Sequence, residues 1–220
     1  AARHAWVIED DYDSEFRYSV RPEETLLSLD HRGCVIHVGT FSKTLSPQLR
    51  LGYMVLPPSL VDTFVGAKRV ADRHAATAAQ RALALLLEDG SYDRHVRRLR
   101  RLQHARQHAL TDALARHLGD RVRIQGAASG LHLLAWIPGL PASAEPALVQ
   151  AARERGVRVY PVGPLYLPAR ARSPATIPRP AGLVMGYALL STDAIEDGVR
   201  RLKTAMNAVE GRVKKRIAEP

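Results

Sequence analysis

The stretch VGTFSKTLSPQLRLGYMVLP, residues 38–57, decides the fold of this 220-residue chain. An apolar run over 34–39 ends in glycine, and a second apolar run over 51–56 ends at two prolines. Short apolar runs bounded by Gly, Pro or Asp are typical of buried parallel strands. The stretch therefore predicts two strands of an α/β sheet, with Lys43 in the turn that follows the first strand.

The rest of the chain extends this pattern in both directions. A further strand-like run over 5–9 precedes the stretch, and helical patterns follow it, with Ser59 a candidate cap for the first helix and Gly90 a stop for the second. We divide the chain into four parts. They are part of a large α/β domain over 1–88, a long linking helix over 89–118, a small α+β domain over 119–210, and a basic tail over 211–220.

Composition excludes several classes of protein. Hydrophobic residues make up 46% and charged residues 25%, which is typical of a globular chain and not of a disordered one. The single Cys34 excludes a disulfide framework and a cysteine-based zinc site, so we expect a reducing compartment such as the cytoplasm. No apolar run approaches the ~20 residues needed to cross a bilayer. The net charge of +10 fits either attraction to a polyanion such as nucleic acid or an arginine-rich codon bias.

Three segments carry groups that could do chemistry. They are EDDYD over 9–13 and TFSKT over 40–44, each directly after a strand, and Arg50. The carboxyl ends of parallel strands are where α/β proteins bind ligands. A desolvated lysine can attack an aldehyde, and a guanidinium can hold a phosphate in a bidentate way. The alternative interpretation is a solvated acidic loop, an exposed lysine and a surface arginine.

Together these residues resemble a known family. The runs VIEDDYDSEFRY over 7–18 and VGTFSKTLSPQLRLGYMVLP resemble the fold-type I pyridoxal-phosphate enzymes, that is, aminotransferase class I/II. They are most similar to the aminotransferase-like domain of the MocR branch of GntR-type transcription regulators, and later runs such as SGLHLLAWIP and GVRVYPVG agree. The resemblance implies the C-terminal part of a mostly parallel α/β large domain, followed by a small α+β domain.

The resemblance implies a role for each motif residue. Lys43 forms a Schiff base with the aldehyde of pyridoxal 5′-phosphate, and Asp10 pairs with the pyridine nitrogen. Tyr12 bonds the phenolic oxygen of the ring. The phosphate is held by Thr40, Ser42 and Arg50. No metal is implied: the His104–His108 pair lacks a third ligand, and His132 is expected to be a core or interface residue.

The sequence departs from the family pattern in two respects. The N-terminal half of the aminotransferase-like domain and the DNA-binding winged helix are expected to precede this stretch in a longer, homodimeric protein. Aligning GYALLSTD with the family also puts Leu189 where true aminotransferases hold the substrate carboxylate with an arginine. Arg170, Arg172 or Arg179 could substitute.

Three functions remain open. The leading hypothesis is the sensing domain of a MocR-type regulator, in which an amine, an amino acid or the cofactor itself is the signal and DNA is bound by the winged helix. The second is a catalytically active aminotransferase, with Lys43 also moving a proton at the substrate α-carbon. The third is a basic nucleic-acid-binding module without a cofactor, a hypothesis that rests on the net charge of +10 alone. The arginines over 94–106 could contact DNA phosphates, meet the DNA-binding domain or form a solvated helix face.

Overall fold

The computed structural model describes residues 5–18, 24–166 and 179–218. The chain divides into two compact units, unit 1 over Ala1–Arg101 and unit 2 over Leu102–Pro220, so the boundary falls inside the long linking helix. None of the helices in the described ranges is long and apolar enough to cross a membrane.

Unit 1 contains a three-stranded sheet in the order β1 (Val7–Asp11), β2 (Val35–Thr40), β3 (Gly52–Val55). β1 and β2 are parallel, as predicted, but β3 runs antiparallel to β2 and is exposed along its length. The expectation of a third buried, parallel strand is therefore wrong. The physical reason is the short connection over 41–51, because a parallel crossover needs a dozen residues or more.

Helices follow the sheet in unit 1. They are α1 (Pro58–Ala71), α2 (Thr77–Glu88) and the first part of α3 (Ser91–Leu118). α1 begins before Ser59, and Pro57 rather than Ser59 occupies its N-cap. A proline in the first turn of a helix removes no hydrogen bond, because the N–H groups there have no partner within the helix. Gly90 lies between α2 and α3 with a φ of 70°, the left-handed conformation predicted for a residue that ends a helix.

Unit 2 is an α+β unit built on an antiparallel sheet. The strand order is β4 (Arg123–Gln125), β5 (His132–Pro141), β7 (Pro180–Gly186), β6 (Tyr160–Pro161). Its helices are the second part of α3, α4 (Glu145–Arg153) and α5 (Thr192–Ala218). Fully buried apolar side chains from helices and strands form its core, among them Leu114, Leu133, Leu148, Leu183, Leu202 and Met206.

The C-terminal part of unit 2 differs from the prediction. β7 ends at Gly186, and the chain then turns, with the N–H of Leu190 donating to the carbonyl oxygen of Tyr187 at 3.2 Å. α5 continues to Ala218, so most of the stretch expected to be a basic tail over 211–220 is helical. Arg and Lys are good helix formers, which favours this continuation.

Candidate functional site

Lys43 lies in a tight turn directly after β2. The N–H of Leu45 donates to the carbonyl oxygen of Phe41 at 2.9 Å and closes the turn around the lysine. Lys43 itself is exposed, whereas the next residue, Thr44, is 1% exposed. The turn therefore exposes Lys43 to solvent, while the residue that follows it is buried.

Two side chains of α3 hold this turn. The hydroxyl of Tyr92 donates to Thr44 Oγ1 at 3.0 Å, and Nε2 of His95 donates to the carbonyl oxygen of Thr44 at 2.7 Å. The ring of Phe41 meets that of Tyr92 edge-on, with centroids 5.8 Å apart. Sequence reasoning missed both α3 residues. Their three-residue spacing, which places them on one helix face, is the signal that could have indicated them.

The hydroxyls of Thr40 and Ser42 lie together at the end of β2. Thr40 Oγ1 is 3.0 Å from Ser42 Oγ and 3.3 Å from the carbonyl oxygen of Leu51. The N–H of Ser42 donates to Thr40 Oγ1 at 3.1 Å, which fixes the two residues relative to each other. Such a cluster offers hydrogen-bond donors to the oxygens of an anion.

Arg50 lies at the same edge of the sheet as this hydroxyl cluster. Because β3 is antiparallel to β2, its first residue, Gly52, pairs with Thr40, the last residue of β2. Arg50 ends a one-turn 3-10 helix over Pro47–Leu49 and has a φ of 52°. A left-handed conformation costs a non-glycine residue on the order of 1 kcal/mol or more. Arg50 is exposed, and its backbone, in this left-handed conformation, lies at this edge.

Asp10 and Tyr12 lie at the end of the neighbouring strand. Asp10 pairs with Val38, two residues before Thr40, and its side chain is exposed. Tyr12 follows β1 directly and is also exposed. Because β1 and β2 are parallel, these two residues and the Lys43 turn lie at one edge of the sheet. The structure thus brings the three predicted segments to a common edge.

A buried ion pair lies on the opposite face of β1 from Asp10, since side chains alternate along a strand. Glu9 Oε2 is 2.9 Å from Nδ1 of the buried His37, which is its partner in the sheet register. The Glu9 carboxylate also accepts hydrogen bonds from the N–H groups of Leu26 at 2.6 Å and Leu27 at 3.1 Å.

The surroundings of Glu9 control its charge. Burial alone would raise the pKa of Glu9, but the hydrogen bonds from His37, Leu26 and Leu27 outweigh it and hold this pKa below its usual range. Sequence reasoning assigned no separate role to Glu9, and it missed His37, because an acidic run after a strand does not reveal which of its carboxylates points inward.

Several other residues that the sequence singled out lie in unit 2. Arg179 forms an ion pair with the buried Glu145, and its guanidinium stacks on the ring of Tyr166 at 4.8 Å. Leu189 is 94% exposed in the turn after β7, and its role stays a prediction. His132 is exposed, so it is not a core residue of this chain, and the alternative of an interface residue stays a prediction. Arg170 and Arg172 lie outside the described residues.

The remaining residues singled out in the sequence are Cys34 and the histidine pair His104 and His108, which was considered as a metal site. The rings of His104 and His108 are in contact, with centroids 4.5 Å apart. Within the described ranges no group of three or more His, Cys, Asp or Glu side chains could hold a metal ion. Cys34 is half-buried and donates weakly to Asp30 at 3.5 Å.

The donor set at the sheet edge fits pyridoxal phosphate. The hydroxyls of Thr40 and Ser42 and the Arg50 guanidinium can bind a phosphate. Lys43 is exposed in this chain and not desolvated, and its unprotonated amine can react with an aldehyde. The exposed Asp10 carboxylate can accept a hydrogen bond from a protonated ring nitrogen. These groups lie at one edge of one sheet, so the chemistry of the residues agrees with the group that the resemblance implies.

Comparison with known proteins points the same way. The sequence pattern of the family "Aminotransferase class I and II" matches residues 1–177. The chain is 40% identical over 205 residues to the uncharacterized HTH-type transcriptional regulator YhdI of Bacillus subtilis, covering 93% of the chain and 42% of YhdI. It is 35% identical over 209 residues to the probable rhizopine catabolism regulatory protein MocR of Rhizobium meliloti, covering 94% of the chain and 40% of MocR.

A solved aminotransferase shares the fold. The chain superimposes on LysN, the α-aminoadipate aminotransferase of Thermus thermophilus, with a TM-score of 0.79 and 30% identity. The superposition covers 94% of the chain and 51% of LysN, whose structure was solved with N-(5′-phosphopyridoxyl)-L-leucine. The chain spans about two fifths of the length of the two regulators and half that of the enzyme.

Proposed function

Because the chain belongs to the aminotransferase class I and II family, we propose that unit 1 binds pyridoxal phosphate through Lys43 and that the chain is the sensing part of a MocR-type transcription regulator. The observation that carries the proposal is the common sheet edge, at which the strand register places the residues that carry an amine, a carboxylate and a guanidinium. When bound, pyridoxal phosphate supplies an aldehyde that condenses with a primary amine with loss of water, and a ring that withdraws electrons.

The proposal gives a role to each candidate residue at this edge of the sheet. Lys43 would bind the cofactor through its amine, and an effector amine would take its place and release the Lys43 amine. Asp10 keeps a proton on the ring nitrogen, and Tyr12 donates to the phenolic oxygen of the ring. Thr40 and Ser42 donate hydroxyl hydrogens to the phosphate, whose charge Arg50 neutralises.

The regulator assignment rests on the relatives. Two proteins that match more than nine tenths of the chain are described as an HTH-type transcriptional regulator and as a regulatory protein. We propose that the whole protein is a homodimer that binds DNA through a separate N-terminal winged helix. Displacement of the Lys43 amine from the cofactor by an effector amine or amino acid would then favour one of two conformations that differ in DNA affinity.

Covalent trapping tests the cofactor site. The protein is incubated with pyridoxal phosphate and reduced with borohydride, and the modified peptide is identified by mass spectrometry. We expect modification at Lys43, none there in Lys43→Ala, and wild-type modification in Lys68→Ala. Lys68 is a matched control because it is an exposed lysine of the same unit, paired with Asp72 at 2.8 Å. Trapping that is spread over other lysines in the wild type would contradict the proposal.

DNA binding tests the regulatory part. In the full-length regulator, the Kd for operator DNA should change when pyridoxal phosphate or a candidate amine is added, and Lys43→Ala should abolish the change. An unchanged Kd across these conditions would overturn the sensing role.

A second candidate function is aminotransferase catalysis, which is favoured by the 30% identity to LysN. Lys43 Nζ would then also move the proton at the substrate α-carbon as a general acid and base. Steady turnover of an amino acid with a keto acid, lost in Lys43→Ala, would establish this function in place of sensing alone.

A further inference from the structure

We propose that Tyr92 and His95 are positioning residues for Lys43, which set where its amine meets the cofactor. The inference rests on the proposed function, since it concerns the same lysine. It assigns a role to two residues of α3 for which the sequence predicted none. They act through Thr44, the residue that follows Lys43 in the chain.

The first step is the way in which Thr44 is held. Its hydroxyl accepts from the hydroxyl of Tyr92 at 3.0 Å, and its carbonyl oxygen accepts from Nε2 of His95 at 2.7 Å. Thr44 is 1% exposed, so water does not compete for either bond. Both the side chain and the backbone of Thr44 are thus bound by residues of α3, about 50 positions further along the chain.

The second step is the effect on Lys43. A lysine side chain is long and flexible, so the position of its amine depends on how firmly its backbone is held. The turn bond between Leu45 and Phe41 closes the loop, and the N–H of Phe41 donates to the carbonyl oxygen of Leu51 at 3.2 Å, which ties the start of the loop to the residue before β3. The bonds from Tyr92 and His95 hold the loop on the other side of Lys43, at Thr44, and tie it to α3.

The third step is the protonation of the two donors. Burial raises the pKa of Tyr92, so its hydroxyl keeps the hydrogen that it donates to Thr44. A carbonyl oxygen can only accept, so Nε2 of His95 carries a hydrogen in this contact. A glutamine at position 95 could donate from its amide nitrogen, whereas a leucine could not. These differences define the variants that separate positioning from packing.

The experiment measures release of pyridoxal phosphate from the folded protein and the pH dependence of the visible absorbance of the bound cofactor. Tyr92→Phe keeps the ring that packs on Phe41 and removes only the hydroxyl, and His95→Leu removes the other donor. We expect each to release the cofactor about fivefold to tenfold faster, equivalent to the loss of one hydrogen bond of about 1 kcal/mol. Each should also shift the midpoint of the absorbance titration, while His95→Gln stays within about twofold of the wild type.

A mutant cycle and matched controls make the test specific. Thr44→Val removes the acceptor of Tyr92, so the effects of Thr44→Val and Tyr92→Phe on release should be non-additive. Tyr160→Phe and His108→Leu remove the same groups from exposed positions and should leave release unchanged. If a variant unfolds in part, release from its folded fraction still decides the question.

The outcomes separate this inference from the proposed function. If the wild type forms no covalent bond with pyridoxal phosphate at Lys43, the proposed function fails. If it does, and the Tyr92 and His95 variants melt at lower temperature but keep wild-type release and titration, the two residues are merely structural and the inference is wrong.

Discussion

At the scale of single residues, adjacent carboxylates of one strand have different environments. Asp10 is exposed at the candidate site, whereas Glu9 is bound by His37 and by two backbone N–H groups on the other face of the sheet. The alternation of side chains along a strand separates them. Asp11 is bound locally, by the N–H of Ser14 at 3.3 Å and its hydroxyl at 2.9 Å. The acidic run is therefore partly structural and partly available for ligand binding.

Another carboxylate, Asp30, organises the turn that leads into β2. It accepts hydrogen bonds from the N–H groups of Arg32 at 2.9 Å, Cys34 at 2.6 Å and Val35 at 2.7 Å. The bonds from Arg32 and Val35 are the main reason that the pKa of Asp30 falls from 3.8 to about 2. Because the folded-state pKa is depressed, the ionised form stabilises the fold above the unfolded value and loses this effect as the pH falls.

Asp30→Asn tests this linkage. At pH 7 the variant should have a lower free energy of unfolding than the wild type, and the difference should shrink as the pH falls from about 4 towards 2, where Asp30 is half protonated. Urea unfolding followed by circular dichroism at several pH values measures it. Asp62→Asn, at an exposed position on α1, is the control and should have little effect. A difference that is independent of pH would contradict the explanation.

At the scale of elements, one buried carboxylate joins three segments of unit 2. Glu145, the first residue of α4, pairs with Arg179 and accepts from the N–H groups of Gly163 at 2.8 Å and Gly182 at 2.9 Å. Burial would raise the pKa of Glu145, but Arg179 and the two N–H groups hold it below its usual range. Arg179 is thus engaged within unit 2, which weakens the expectation that it grips a substrate carboxylate.

Glu145→Ala should destabilise unit 2 by about 3 kcal/mol, because it leaves a guanidinium and two N–H groups without their partner. The free energy of unfolding, measured in urea, checks this value. Glu154→Ala removes an exposed glutamate from the end of the same helix and should cost less than about 1 kcal/mol. Equal losses in the two variants would refute a special role for Glu145.

At the scale of the whole molecule, buried apolar side chains are unevenly distributed. Among the described residues, unit 1 buries only five of them, Phe16, Val35, Ile36, Leu51 and Pro57, and all the others lie in unit 2. Unit 1 instead exposes apolar side chains such as Ile8, at 70%, and Val70, at 89%. Few buried contacts imply low local stability.

Hydrogen exchange should therefore differ between the units. Amides of α1 and α2 should exchange faster than those of β5, β7 and α5, because opening unit 1 exposes less buried apolar surface. Exchange followed by mass spectrometry on the 220-residue chain measures this difference. Comparable protection in both sets of elements would mean that the two units unfold as one.

Much of the fold was predictable because its signals are local. Short apolar runs, one followed by acidic residues and one ending at glycine, indicated β1 and β2, and three- and four-residue spacing indicated α3 nearly to its ends. The direction of β3 was predicted wrongly, since an apolar run is the same in a parallel and an antiparallel strand. Only the length of the preceding connection distinguishes the two.

The sequence by itself determined which residues are candidates for the site. Asp10, Lys43 and Arg50 were identifiable because their residue types lie next to strands in two short segments, 7–18 and 38–57, that resemble a known family. The tertiary structure alone decided which distant residues support them: His37 for Glu9, and Tyr92 and His95 for Thr44. These partners lie 28 to 51 residues apart in the chain, and local sequence patterns carry no information about which distant side chains packing will bring together.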